Sequence, residues 1–127
     1  MKTIISTPKA PSAIGPYNQA TAFDKLIFTS GQIALDPATM EIVIGGVKEQ
    51  TKQVMENLKA VLEEAGSSFE NVLKTTCYLS DMDNFVAFNE VYGQCFNAET
   101  APARSTVAVK TLPKNVLVEV DTIAFKN

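Results

Sequence analysis

Arg104 stands near the head of the stretch Ala101-Pro102-Ala103-Arg104-Ser105-Thr106, with Val107-Ala108-Val109-Lys110 running on behind it. A fully ionised guanidinium at the mouth of a strand that otherwise favours valine asks for a partner. Glu119 supplies a charge of opposite sign inside a second β-branched run, Val116-Leu117-Val118-Glu119-Val120. Side chains alternate along a strand, so Arg104 and Thr106 oppose Ser105, Val107 and Val109, while Glu119 opposes Val118 and Val120. If the valines of both strands turn to one layer of helices, Arg104 and Glu119 share the other face. A cation and an anion then converge on a half-buried crevice, as a small charged substrate would need. An ion pair that merely bridges neighbouring strands is the alternative reading of the same two residues.

Other polar side chains sit where apolar ones are expected. Asn89 lies on the inner side of a helical pattern, between Phe85 and Tyr92. Gln50 and Asn57 lie two turns apart on another helix. Buried amides must be hydrogen-bonded, and loop backbone is the expected partner of Gln50 and Asn57. Two glycine-containing turns add candidates: Gly15-Pro16-Tyr17-Asn18-Gln19 holds Tyr17 beside a stiff turn, and Ser30-Gly31-Gln32 presents a hydroxyl and a glycine amide.

Composition removes several classes of chemistry. The chain has no histidine, which takes away the commonest general base and the commonest metal ligand. Eleven basic against fourteen acidic residues leave a net charge of −3, the wrong sign for a phosphate backbone. Cys77 and Cys95 are not spaced as a metal or redox pair and read as reduced core residues. The first residues hold no secretory apolar core, and no apolar run approaches the ~20 residues that span a bilayer. A cytoplasmic protein without membrane contact is the expectation.

The elements that must position these groups follow from periodicity. At 127 residues the chain has the length of one domain, read here as a single domain over 1–127. Short strands are expected at Thr3 to Ser6, Tyr17 to Thr21 and from Lys25 to a break at Gly31, with a turn at Asp36-Pro37. Apolar residues at Val47, Val54, Leu58, Val61, Leu62 and Ala65 predict an amphipathic helix that Gly66 stops. A strand from Asn71 carries Leu73, Cys77 and Leu79 on one face. Ser80 and Asp83 resemble a capping signal for a second helix with Phe85, Phe88, Tyr92, Cys95 and Phe96 inward, and Gly93 invites a close packing contact. Strands from Ala103 to Lys110 and Asn115 to Phe125 complete an α/β (α+β) layout: one mixed sheet with two helices on one face. The last strand is largely apolar on both sides, so the uncovered face is expected to meet further copies of the chain.

The motifs "SAIGPYNQA", "FTSGQIALDP", "KTTCYLSDMDNF", "PARSTVAVKTLPK" and "VEVDTIA", with the Gln50/Asn57 helix, together resemble the reactive intermediate/imine deaminase (RidA) family, also called the YjgF/YER057c/UK114 family. The likeness runs from about Ser12 to Phe125. It implies a chorismate-mutase-like fold assembled as a homotrimer, with an active site in each cleft between subunits. It also implies hydrolysis of 2-imino acids, such as 2-iminopropanoate and 2-iminobutanoate released as enamines by pyridoxal-phosphate-dependent dehydratases, to 2-keto acids and ammonia. No cofactor and no metal are implied. By that resemblance Arg104 grips the substrate carboxylate through its planar fork, and Glu119 holds and polarises the attacking water. Tyr17, Ser30, the Gly31 amide and Asn89 line the cleft. Thr106 stands where many relatives carry cysteine, its backbone N–H still available to the carboxylate. Ile33 and Phe88 are expected to set pocket size. A non-catalytic trimer that binds small keto or amino acids, and a translation inhibitor with ribonuclease activity, are the competing readings.

Overall fold

A computed structural model describes all 127 residues. Six strands form one sheet: β1 Thr3–Ile5, β2 Ala20–Phe23, β3 Leu26–Thr29, β4 Val72–Leu79, β5 Ala103–Ala108 and β6 Val118–Phe125. Their spatial order is β1-β2-β3-β6-β4-β5, antiparallel throughout except for the parallel β4–β5 pair. The long helix α1, Val47–Glu64, joins β3 to β4, and the short α2, Phe85–Tyr92, joins β4 to β5. This is the mixed sheet with two helices that the alternating pattern requires.

The helices cover one face because their stripes and the strand alternation meet there. Val54, Leu58, Val61 and Leu62 of α1 are fully buried together with Ile27, Val118, Val120 and Ala124 of the sheet. Each such side chain contributes about 1.5–3 kcal/mol by leaving water. On β6 burial alternates strictly, with Val118, Val120, Thr122 and Ala124 inward. Gln50 and Asn57 fasten loops, as a buried amide on a helix should. Gln50 Oε1 accepts from Leu117 N at 2.8 Å, and Asn57 Nδ2 donates to the carbonyls of Leu35 at 2.9 Å and Ile33 at 3.2 Å. No helix is long and apolar enough to cross a membrane.

Several local expectations shift. Tyr17 is in a loop, not at the start of a strand, because Gly15 adopts φ +121° and Tyr17 N turns back onto Gly15 O at 2.9 Å. A bulge between Val72 and Lys74 reverses the alternation at the start of β4, so Val72 is buried and Leu73 is 47% exposed. The cap before α2 is Asp81, whose carboxylate accepts from Asp83 N at 2.8 Å, rather than Ser80. α2 ends at Tyr92, and residues 93–95 continue as a tighter turn. A Cβ on Gly93 would meet nothing within 4 Å, so no packing contact explains that glycine. β6 starts at Val118 because Pro113–Asn115 forms a short helical turn, with Lys114 and Asn115 both at φ 56°.

Candidate active site

The structure sorts the seven candidate residues into two groups on opposite faces of the sheet. The expectation that Arg104 and Glu119 share a face is overturned by the strand register. In the parallel β4–β5 pair, Thr75 faces Arg104 and Cys77 faces Thr106. Thr75 and Cys77 are fully buried under the helices, so Arg104 and Thr106 project to the helix side. Glu119 pairs with Tyr78 across β4–β6 and lies on the uncovered side, as do Ser105 and Val107 of β5. The valine of β5 therefore faces away from the helices. β5 is an edge strand, and its helix-side residue Arg104 meets α2 at that rim.

The helix-side group is built around Arg104. Its Nη1 donates to Asn89 Oδ1 at 2.7 Å, and its guanidinium carbon lies 4.8 Å from the Tyr92 ring centre and 5.4 Å from that of Phe85. Two α2 rings and an amide thus hold the guanidinium plane, a geometry that aromatic faces favour for arginine. Tyr92 is itself fixed by a 2.8 Å hydrogen bond between its hydroxyl and Thr75 Oγ1. Asn89 is exposed rather than buried, turned toward the strand edge instead of the core. Arg104 has no carboxylate partner: the chain's one ion pair is Lys48–Glu90 at 2.8 Å. Thr106 Oγ1 is buried without any hydrogen-bond partner. Cys77, opposite Thr106, is an inert thiol, pushed up to about 11 by burial.

The other group surrounds a cavity of about 670 Å³ that Tyr17, Ser30, Gly31 and Glu119 line together with Ile14, Ile33 and others. Gly31 is there because Glu119 is: a Cβ on residue 31 would lie 2.8 Å from the carboxyl carbon and overlap a carboxylate oxygen. Burial, and then the neighbouring Asp121, raises the Glu119 carboxyl above its ordinary value. Asp121 is raised as well, chiefly by burial, and accepts from the Tyr78 hydroxyl at 3.4 Å. Ser30 is not a free hydroxyl. It donates to Asn18 O at 2.5 Å and so ties the Tyr17 loop to the strand end. Phe88, expected in the pocket, is fully buried in the core, whereas Ile33 does line the cavity.

Gln19, Pro113 and Lys114 are among the lining residues that the sequence alone does not mark. Gln19 is 3% exposed and lines the cavity wall, while Pro113 and Lys114 reach the cavity from a turn in left-handed backbone. The signal for Gln19 is an amide among the small apolar residues of Gln19-Ala20-Thr21-Ala22. Nothing in the residue types marks Lys114. No three acidic or cysteine side chains come together as a metal cage would require.

A mixed six-stranded sheet backed by two helices, with an arginine at one rim and a glutamate cavity on the uncovered face, defines the class. The chain belongs to the RidA/YjgF family: residues 7–126 match the family model described as Endoribonuclease L-PSP. It is 58% identical over 122 residues to a RutC family protein of Synechocystis sp., covering 95% of this chain and 94% of that protein. It is 46% identical over 126 residues to the mouse protein named 2-iminobutanoate/2-iminopropanoate deaminase, covering 99% and 93% of the two chains. The crystal structure of Escherichia coli TdcF with bound serine matches with a TM-score of 0.91 at 42% identity, over 98% of this chain and 99% of that one.

Proposed function

We propose that copies of this chain assemble, as a homotrimer, so that the Arg104 rim of one faces the Glu119 cavity of the next, and that each such cleft hydrolyses a 2-imino acid to a 2-keto acid and ammonia. The observation that carries this reading is the division of the candidate groups. A guanidinium with unused donors occupies one rim, and a half-buried carboxylate with a walled cavity lies on the other face. Neither half is a complete site. The uncovered face also bears Phe23, Leu26 and Phe28 at 62%, 42% and 44% exposure, an apolar surface suited to burial between copies.

In the assembled cleft, Arg104 and the Thr106 edge of β5 bind the substrate carboxylate, with Asn89 keeping the guanidinium in plane. Glu119 of the neighbouring copy accepts a proton from a water as the water oxygen bonds to the carbon of the protonated imine and the C=N electron pair moves onto nitrogen. The resulting carbinolamine carries hydroxyl and amino groups on one carbon. Glu119 returns the proton to nitrogen, the C–N bond breaks with its electron pair going to ammonia, and the hydroxyl proton is lost as the ketone forms. A carboxylate whose pKa is raised serves both directions of that transfer. Holding a reactive imine beside one oriented water supplies much of the rate. The name of the mouse relative and the serine bound to TdcF, an amino acid with the same α-carboxylate, support this substrate class.

The test is to generate 2-iminopropanoate or 2-iminobutanoate with a dehydratase and follow keto-acid release. The expected result is acceleration over buffer that Arg104→Lys reduces by about 100-fold or more, since one point charge replaces the fork. An unaccelerated reaction removes the enzyme reading and leaves a binding protein. The family description as an endoribonuclease supports a second reading, RNA cleavage. The acidic balance and lack of histidine favour the imino acid.

A further inference from the structure

We propose that Gln19 is a positioning residue of the Glu119 half-site: its buried amide fixes the wall of residues 11–18 that carries Ile14 and Tyr17, and thereby sets which substrate side chains are accepted. This rests on the deaminase reading of the cavity. Gln19 Oε1 accepts from Thr7 N at 2.7 Å, while Nε2 donates to Pro11 O at 2.8 Å, Thr7 O at 3.0 Å and Ala10 O at 3.3 Å. One side chain therefore holds both ends of the excursion between residues 11 and 19. A second clamp fastens the same end to the strand beside Glu119: Ser30 N donates to Gln19 O at 2.9 Å and Ser30 Oγ to Asn18 O.

Between the clamps the segment contributes nothing to the core. No residue from Ser12 to Asn18 is buried, and Ile14 and Tyr17 are 75% and 52% exposed. From Ser12 to Tyr17 the one hydrogen bond is Tyr17 N to Gly15 O. A buried amide with every polar atom satisfied thus rigidifies a loop that core packing does not need. What the loop does is wall the cavity, since Ser12, Ala13, Ile14 and Tyr17 all line it. An open loop tip of this kind moves freely unless its base is locked. Ile14 and Ile33 present an apolar surface on that wall, where the side chain of an imino acid must rest once its carboxylate is held at the Arg104 rim.

The experiment compares the parent with Gln19→Met, which keeps length and apolar bulk but removes the amide, and with Ser30→Ala, which removes the hydroxyl bond of the second clamp and leaves its backbone bond. Two imino acids are used, one derived from alanine and one from leucine, with chymotryptic cleavage after Tyr17 measured on substrate-free protein. Gln19→Met is expected to lower kcat/KM for the leucine-derived imine by about 30-fold and for the alanine-derived one by about threefold, chiefly through KM. Cleavage after Tyr17 is expected to rise about 10-fold. Ile14→Ala combined with Gln19→Met is expected to cost no more than the worse of the two alone, because both act through one wall. Equal losses on both substrates, or losses that add with Ile14→Ala, overturn the proposal. Should Gln19→Met fail to fold, Ser30→Ala decides: a smaller shift of the same substrate ratio supports the wall, and an unchanged ratio overturns it. A parent that hydrolyses neither imine while Gln19→Met still speeds cleavage after Tyr17 refutes the deaminase reading and the selectivity it would serve, leaving only the clamp.

Discussion

Adding one methyl group at Gly31 is expected to disable the reaction without disturbing the fold. A Cβ there would lie 2.8 Å from Glu119 Cδ and 3.0 Å from Cγ. Ordinary carbon–carbon contact needs about 3.5–4.0 Å, so the carboxylate must retreat by roughly 1 Å. Gly31 does not occupy left-handed backbone, so alanine meets no conformational penalty and the effect comes from the methyl group alone. Glu119 is half-buried and can swing aside, which keeps the cost in stability within about 1–2 kcal/mol. Its proton-accepting oxygen, however, no longer meets the water, and a displacement of 1 Å costs about 100-fold in rate. The Arg104 rim proposed to bind the carboxylate is untouched. Gly31→Ala should therefore lower kcat about 100-fold with KM changed less than about threefold, as measured by keto-acid release under saturating, freshly generated imine. A kcat within about threefold of the parent, in a variant with parental thermal stability, would refute the reasoning that Glu119 acts from the position seen.

Three further outcomes follow from groups around the cavity. Asp121 raises the Glu119 carboxyl, second to burial, and the proposed mechanism uses Glu119 ionised, so it predicts that rate is lost as pH falls through that raised value. Asp121→Asn should move the acidic limb of the kcat/KM profile to lower pH, and a limb that stays or rises contradicts Glu119 as the base. For stability the sign is opposite to that of a salt-bridged acid. The folded protein holds its proton more tightly than the unfolded chain, so stability declines as pH rises from the unfolded toward the folded value, and Asp121→Asn should reduce that decline in a thermal melt. Lys114 holds φ 56° without a glycine's freedom. Lys114→Gly should raise stability by about 1 kcal/mol in denaturant titration, and a loss of that size would show that the lysine side chain itself supports the turn.

Much of the architecture is legible in residue periodicity. α1 follows from Val54, Leu58, Val61 and Leu62, and the two-sided apolar character of β6 follows from valines alternating with Ile123 and Phe125. What periodicity cannot supply is which neighbour a strand chooses and in which direction. β5 pairs parallel with β4, and that single choice turns Arg104 toward the helices. The error over a shared face arose there, because alternation fixes relative orientation within a strand but not between strands. The bulge after Val72 is equally silent in the sequence, since it depends on how β4 meets β6. Arg104, Asn89 and Thr106 form one group, and Tyr17, Ser30, Gly31 and Glu119 form the other. The types were readable from their chemistry, whereas Gln19 and Lys114 act through backbone they hold or strain.

The central claim is that one chain holds only half of each site, and mixing two inactive variants tests it most directly. Arg104→Ala retains the Glu119 cavity, and Glu119→Gln retains the arginine rim. Unfolding and refolding them together in equal amounts distributes the chains at random through a closed ring of copies, so about one cleft in four receives both intact halves. The expected result is recovery of about a quarter of parental activity from two preparations that are each inactive. Mixed assemblies that form but show no activity above the separate variants would contradict a site shared between copies.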